Sequence, residues 1–380
     1  MFLEESFAKV IFLFSWYGAQ VFCKMKVSII GTGNGGQAIA GWLSMQGYDV
    51  SLYGRNEKVI SELDIHKCIT LTGAIRGVGR LAEVTTDIHH SVFGSKIIMV
   101  VTTANAHGEI ASQIASDLTD GQVIILNPGR TGGALEFKRS LEAAGCNARV
   151  YVAEAQTLVY ACRIAENGLV NIIGVKDKVL LSAVPSSDTE YVISKISPAY
   201  PCFCAAENVL RTSLENIGAM FHPCVLLFNA ATIERNTMFW FYRDMTPKIA
   251  DFIEKFDNER LAVGKAYGID LLSVSEWISY AYPGTLGATL CEKMKNNPAY
   301  HDIKSPSTIF TRQLTEDIPT GVLPIMELGE VAGVSVPLMR SMVEICGNLL
   351  DIDFRQNGRT LNHLGLTGKT KDEILEYLSR

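Results

Sequence analysis

A short β-branched run, Lys26 to Ile30, empties directly into Gly31-Thr32-Gly33-Asn34-Gly35-Gly36 and then into the apolar stretch Gln37 to Leu43. Strand, glycine turn and helix in that order point to a dinucleotide-binding βαβ unit. Gly31 permits the tight turn, Gly33 lets the backbone approach a pyrophosphate, and Gly36 lets the helix pack closely on the strand. The helix start, including Asn34, then offers unpaired N–H groups and a partial positive charge to the phosphates. A glycine turn without a ligand is the bland alternative; the flanking strand and helix favour a cofactor.

The second strand, Asp49 to Tyr53, ends at Gly54-Arg55-Asn56. NAD-preferring sites carry an acidic residue near this point to bond the ribose 2′-hydroxyl. Here Gly54 takes the position, with Arg55 beside it. A guanidinium pairs with a 2′-phosphate that a carboxylate would repel, so NADP(H) is expected in preference to NAD(H). Stacking of Arg55 on adenine would admit both.

Two further strand-like runs, Ile97 to Thr103 and Val123 to Leu126, lead into the loops Ala104 to His107 and Asn127 to Gly133. Ligands in open α/β sheets sit beyond the carboxyl ends of the strands, so both loops are expected on the nicotinamide side, with Asn127 among the cofactor residues. His107 is expected to pack at the start of a helix, about Gly108 to Leu118, or to touch cofactor, rather than to catalyse. Val150 to Ala153 reads as another strand, leading toward Arg163, which holds either a substrate carboxylate or a structural ion pair.

Beyond Val209 helical periodicity takes over, at about Thr212 to Met238, Thr246 to Tyr267, Val274 to Ala281 and Pro337 to Leu350. The fold class is therefore α/β: an N-terminal Rossmann domain with a doubly wound parallel sheet, residues 25–208, followed by an all-α C-terminal domain, residues 209–380. The two frame a cleft, and 380 residues suffice for two cores. His222, read as the start of an apolar helix, and the distant Asp317 are the minimum apparatus for moving a proton beside a hydride transfer. Histidine titrates near pH 6.5, and a paired carboxylate raises that value and fixes the ring. A core histidine and a helix-capping aspartate form the alternative.

The net charge of -6 argues against a nucleic-acid partner. Nine cysteines cannot all pair within one chain, and no zinc-type spacing appears, so free thiols, no metal and a cytoplasmic setting are expected. The apolar run Ile217 to Ile233 is interrupted by His222, Pro223, Asn229 and Thr232, short of the roughly 20 apolar residues of a membrane span. Residues 1–24 contain an apolar segment preceded by Glu4 and Glu5 rather than a basic cluster. Met25 is expected to be the biological initiator, with residues 1–24 an artefactual start or a disordered extension. A homodimer stays open; Phe239, Trp240 and Phe241 form either an interface or core.

The chain resembles the opine dehydrogenases of the octopine/nopaline dehydrogenase type from Met25 onward. The matching segments are Gly31 to Gly36, Asn127-Pro128-Gly129-Arg130-Thr131-Gly132, Leu158-Val159-Tyr160-Ala161-Cys162-Arg163, Asn216-Ile217-Gly218 with His222-Pro223, Thr315-Glu316-Asp317-Ile318-Pro319-Thr320-Gly321, and Gly358-Arg359-Thr360-Leu361 with Leu364-Gly365-Leu366. Val159 departs from the family's usual proline, and Gly54-Arg55 from the acidic strand end of NAD-preferring members. The resemblance implies that His222 is the acid/base, that Asp317 pairs with it, and that Arg312 contacts the pyrophosphate and helps the domains close. It also implies that Cys162 and Arg163 lie near the substrate. Met220, Trp277 and Tyr282 are the second-domain side chains expected to line the amine site.

The expected reaction is NADPH-dependent reductive condensation of an L-amino acid with a 2-oxo acid, pyruvate by default and 2-oxoglutarate next, and its reversal. A ketopantoate or glycerol-3-phosphate type reductase is the nearest rival. Those enzymes use a lysine at the start of the second domain, and no lysine lies between Lys195 and Lys248. The other rival is a non-catalytic cofactor sensor, against which both His222 and Asp317 are present.

Overall fold

The computed structural model describes residues 25–379; the expectation for residues 1–24 lies outside them. Twelve strands precede the helical half: β1 (Lys26–Ile30), β2 (Asp49–Tyr53), β3 (Cys68–Gly73), β4 (Gly77–Arg80), β5 (Glu83–Thr85), β6 (Ile97–Val100), β7 (Val123–Leu126), β8 (Tyr151–Ala155), β9 (Tyr160–Glu166), β10 (Leu169–Val175), β11 (Val179–Val184) and β12 (Phe203–Ala205). Eight form one sheet in the order β12-β11-β8-β7-β6-β1-β2-β5. From β8 to β5 neighbouring strands run parallel, as expected for a doubly wound fold. β11 pairs antiparallel with β8, and β12 joins β11 in parallel.

The central strands β1, β6 and β7 are almost wholly buried, the pattern of a sheet covered on both faces. The order reverses at β1, which lies between β2 and β6. The loops after β1, β6 and β7 therefore open on one crevice.

A second sheet, β4-β3-β10-β9, was not expected. It packs over the helix Asn34–Met45, where a side chain on Gly79 would meet Gly41 O at 2.2 Å. Its β9–β10 hairpin turns at Asn167-Gly168, with Gly168 at φ +85°; Asn-Gly is a strong short hairpin signal. Residues 160–166 are thus strand, and this sheet carries Cys162 and Arg163 to the crevice.

Helices begin again at Val209–Leu214. The single helix expected over Thr212 to Met238 is instead three: Val209–Leu214, Ile217–Phe228 and Ala230–Glu234. Asn216 at ψ 74° and Asn229 at φ -118° supply the breaks. Pro247–Ala266, Val274–Ala281 and Pro337–Leu350 follow the expected spans closely. The helix near Gly108 runs over His107–Ile114. Among the described residues no helix is long and apolar enough to cross a membrane.

Arg359 ties the two halves together. It is 1% exposed, and its guanidinium donates to the carbonyls of Gly129, Thr131 and Ala104 and pairs with Glu136 at 2.6 Å. Its own N–H bonds Pro319 O at 2.9 Å. One side chain from the C-terminal segment thus braces the loops after β6 and β7.

Candidate active site

A crevice of about 770 Å³ runs from Arg55 past the glycine turn to Arg130, Arg312 and Glu316. The glycines have separate structural reasons. Gly31 adopts φ +124°, and a side chain there would meet Val101 O at 2.4 Å. One on Gly36 would meet Gly31 O at 1.8 Å, so helix and turn touch backbone to backbone. Gly33 instead faces open space, with nothing within 4 Å of an added carbon. That bare backbone at a helix N-terminus fits a pyrophosphate. Asn34 also lines the crevice, but its side-chain oxygen is taken by Ile164 N at 2.8 Å.

At the β2 end of the crevice a side chain on Gly54 would meet Thr32 Cγ2 at 2.6 Å, which leaves no room for an acidic residue. Arg55 is exposed and pairs with Glu109 at 3.7 Å. Such an exposed pair is weak, so the guanidinium is free to take another anion. At the far end Asn127 is buried on the crevice wall, its Nδ2 bonded to Ile125 O and its Oδ1 unpaired among the described residues.

Beyond Arg130 lies the predicted pair. His222 Nδ1 is 2.6 Å from Asp317 Oδ2. His222 stands in the middle of Ile217–Phe228, not at its start as the sequence reading had it. Pro223 follows it within the helix and lacks the N–H that would bond Ala219 O. Asp317 directly precedes the π-helical turn Ile318–Val322. Burial pushes its carboxyl upward, but His222 and Arg130 outweigh this and hold it below the ordinary carboxylate range. Asp317 is therefore an anion near neutral pH and an acceptor only.

Arg130 belongs to the quoted Asn-Pro-Gly-Arg loop but was not singled out from the sequence. Its backbone is left-handed, φ 61°, an unusual state for a side-chain-bearing residue. Its guanidinium lies 3.6 Å from Glu316 Oε1 and 3.9 Å from Asp317 Oδ1, and Nη1 donates to Asn216 Oδ1 at 3.3 Å. An added carbon at Gly218 would lie 3.2 Å from both Arg130 Nη1 and His222 Cε1. Arg130 Nε is buried without a hydrogen-bond partner. Its carboxylate neighbours outweigh burial and keep Arg130 charged.

Tyr242 was also missed, hidden in the aromatic run that begins at Phe239. Its hydroxyl is 2.9 Å from His222 Nε2.

The remaining predicted residues divide. Arg312 lines the crevice, two-thirds exposed, 3.5 Å from Glu316. Cys162 lines it too, but burial pushes the thiol up to about 11 and Sγ contacts Asn34 O at 3.4 Å. It is a wall, not a nucleophile. Arg163 reaches the crevice and bonds Cys162 O at 3.0 Å; among the described residues it makes no ion pair. Met220 is wholly buried in the core of the helical half and is not among the residues lining this crevice. Trp277 and Tyr282 meet edge to face, and Tyr282 meets Tyr300, which stacks on Tyr242; neither lines the cofactor crevice. His107 is buried against Arg359 and Gly133, and burial lowers its pKa so far that it stays neutral. The eight described cysteines are free, and among the described residues no cluster is placed to hold a metal.

Residues 26–129 match the N-terminal domain of NAD-dependent glycerol-3-phosphate dehydrogenase, and residues 205–350 match the alpha-helical domain of NAD/NADP octopine/nopaline dehydrogenase. An opine dehydrogenase from Arthrobacter sp. (strain 1C) is 37% identical over 345 residues, covering 90% of this chain and 96% of its own. An octopine dehydrogenase solved with NADH and L-arginine superposes with a TM-score of 0.78 at 21% identity, over 93% of this chain and 98% of its own. Yersinopine dehydrogenase with NADP+ bound does so at 0.67 and 12% identity, over 94% and 98%. With a Rossmann half, a helical half and near full-length similarity in view, the chain belongs to the opine dehydrogenase family, NAD(P)-dependent oxidoreductases acting on CH–NH bonds.

Proposed function

We propose that this chain uses NADPH to condense an L-amino acid with pyruvate or 2-oxoglutarate, and runs the reverse oxidation. His222 serves as the acid/base, Asp317 orients it, and Arg130 receives a substrate carboxylate. Residues 25–208 form the cofactor-binding unit and residues 209–380 the substrate unit. The observation that carries the reading is the 2.6 Å contact of His222 Nδ1 with Asp317, flanked by Arg130 at the inner end of the cofactor crevice. The octopine dehydrogenase solved with NADH and L-arginine lends the substrate class its support.

Reduced dinucleotide, when bound, supplies the hydride. The chain's own residues do the rest. Gly31, Gly33, Gly36 and Asn34 shape the cradle, with Asn127 on its wall and Arg312 at its rim. Arg130, Arg163 and Arg312 line the same crevice, while both substrates carry a carboxylate. A guanidinium with a free edge grips a carboxylate through two hydrogen bonds. His222 gives up a proton as the carbonyl oxygen leaves, and Asp317 stabilises the imidazolium before that transfer. The NADP preference rests on the bulk-excluding Gly54 and the exposed Arg55.

The test is NADPH oxidation with each 2-oxo acid, with and without pooled L-amino acids. Oxidation that needs both substrates is expected. Oxidation with a 2-oxo acid alone would make the protein a hydroxyacid reductase. His222→Ala should lower turnover about 100- to 10,000-fold with cofactor affinity kept; equal loss of affinity would mark a structural histidine.

A further inference from the structure

We propose that Tyr242 is the group through which His222 passes its proton to the substrate. The proposal rests on the acid/base assignment of His222. Both ring nitrogens of His222 are engaged, Nδ1 by Asp317 at 2.6 Å and Nε2 by the Tyr242 hydroxyl at 2.9 Å. Asp317 accepts only, so Nδ1 carries a hydrogen. In the neutral ring Nε2 is then the bare nitrogen, and the tyrosine O–H donates to it. In the protonated ring Nε2–H donates to the tyrosine oxygen, which frees the phenolic hydrogen to be given elsewhere.

A substrate reaching Nε2 directly must displace that hydroxyl, and the ring carrying it is firmly held. Tyr242 is 8% exposed. It stacks on Tyr300 with centroids 4.4 Å apart at 22°, and meets Phe241 edge-on at 4.8 Å and Phe221 at 6.4 Å. Among the described residues its hydroxyl has no hydrogen-bond partner besides His222. Burial, with Asp317 nearby, raises its pKa above the ordinary tyrosine value. It therefore stays a hydroxyl, able to hand on a proton without ever holding a charge.

The step balances. The amine nitrogen adds to the carbonyl carbon as the C=O π pair moves to oxygen, the proton given up by nitrogen is taken by that oxygen, and the resulting carbinolamine must lose its hydroxyl. The Tyr242 phenolic proton moves to that oxygen, the C–O bond breaks with its electron pair leaving on water while the nitrogen lone pair closes the C=N bond of an iminium, and the Nε2 proton moves onto the tyrosine oxygen. His222 ends neutral and Tyr242 ends as it began. No atom changes oxidation state here, since reduction by hydride is the separate, following step. The same path runs backwards when the opine is oxidised.

Tyr242→Phe keeps the ring and its packing and removes only the oxygen. With NADPH, the 2-oxo acid and the amine established for the parent enzyme, turnover is expected to fall about 100-fold or more, with melting temperature and NADPH affinity unchanged. A smaller fall overturns the relay, as does a gain, which would mark Tyr242 as a plug on the histidine. The parent enzyme gives a second readout that needs no variant. In H₂O/D₂O mixtures its kcat should bend with deuterium content, because two protons move together; a straight dependence overturns the relay. His222→Ala separates the two ideas. If it is inactive while Tyr242→Phe is active, only the relay fails; if it retains turnover, the acid/base assignment fails with it.

Discussion

Arg130 Nη1 lies 3.9 Å from Oδ1 of Asp317, the carboxylate whose Oδ2 holds His222 at 2.6 Å. One carboxylate thus serves both the imidazole and the guanidinium, and Arg130 carries the contact to the inner end of the crevice. Asp317 is nearly sealed from solvent, where charges act on one another more strongly than in water. The arrangement fixes the imidazole and leaves the guanidinium short of partners.

Arg130→Gln should raise KM for the 2-oxo acid about 10- to 100-fold, the loss of one hydrogen bond between charged groups, while the NADPH dissociation constant stays put. Initial-rate kinetics beside a fluorescence titration of cofactor make the comparison. A matching rise in the cofactor constant would place Arg130 on the dinucleotide instead.

Asp317→Asn should cost about 100-fold or more in turnover, because the ring loses its orienting anion. The same variant carries a stability prediction. The Asp317 pKa is lowered in the folded state from about 3.9, so its stabilisation is fully present above that value and is lost as pH falls through the lower folded value. Urea unfolding at a series of pH values should show the gap between parent and variant closing as the solution is acidified below about pH 4. A gap that widens there would contradict the assignment.

Arg55→Ala should weaken NADPH binding and leave NADH binding almost unchanged, so that the ratio of the two constants moves toward one. The expected shift is about tenfold or more, in line with one charge-assisted contact. An equal loss for both cofactors would point to adenine stacking.

Gly36→Ala should abolish cofactor binding and lower stability, since its methyl would sit 1.8 Å from Gly31 O. Gly33→Ala meets nothing in the free protein and should fold normally. Its added methyl should obstruct only the bound dinucleotide. Melting temperature with and without NADPH distinguishes the two.

Arg359→Met should destabilise the chain by about 3–5 kcal/mol, because Glu136 and three loop carbonyls lose a buried partner together. Chemical denaturation reads this directly.

The cofactor half was the more legible because its signals are local. Strand, glycine turn and helix occupy adjacent residues, and the bare Gly33 needs no distant partner. His222 and Asp317 were legible as residue types, yet 95 positions separate them and only the fold brings them within 2.6 Å. Arg130 stood in a recognised loop, but its meaning comes from the left-handed backbone that turns it toward Asp317. Tyr242 gave no signal, since an aromatic in an aromatic run reads as core. Met220 stands two residues before His222 on the helix Ile217–Phe228, and the helix turns it into the apolar interior. The second sheet was missed although Asn167-Gly168 marks its hairpin, because Tyr160 to Arg163 was read as a site segment rather than for strand alternation.

Arg359 bonds residues that precede it by 223 to 255 positions. During synthesis the strands and glycine turn emerge long before it, so the nascent cofactor half waits with two of its loops unbraced. A ribosome paused before residue 359 would display a Rossmann sheet without a finished dinucleotide cleft, and cofactor should begin to protect the nascent chain only after that arginine has been made and docked.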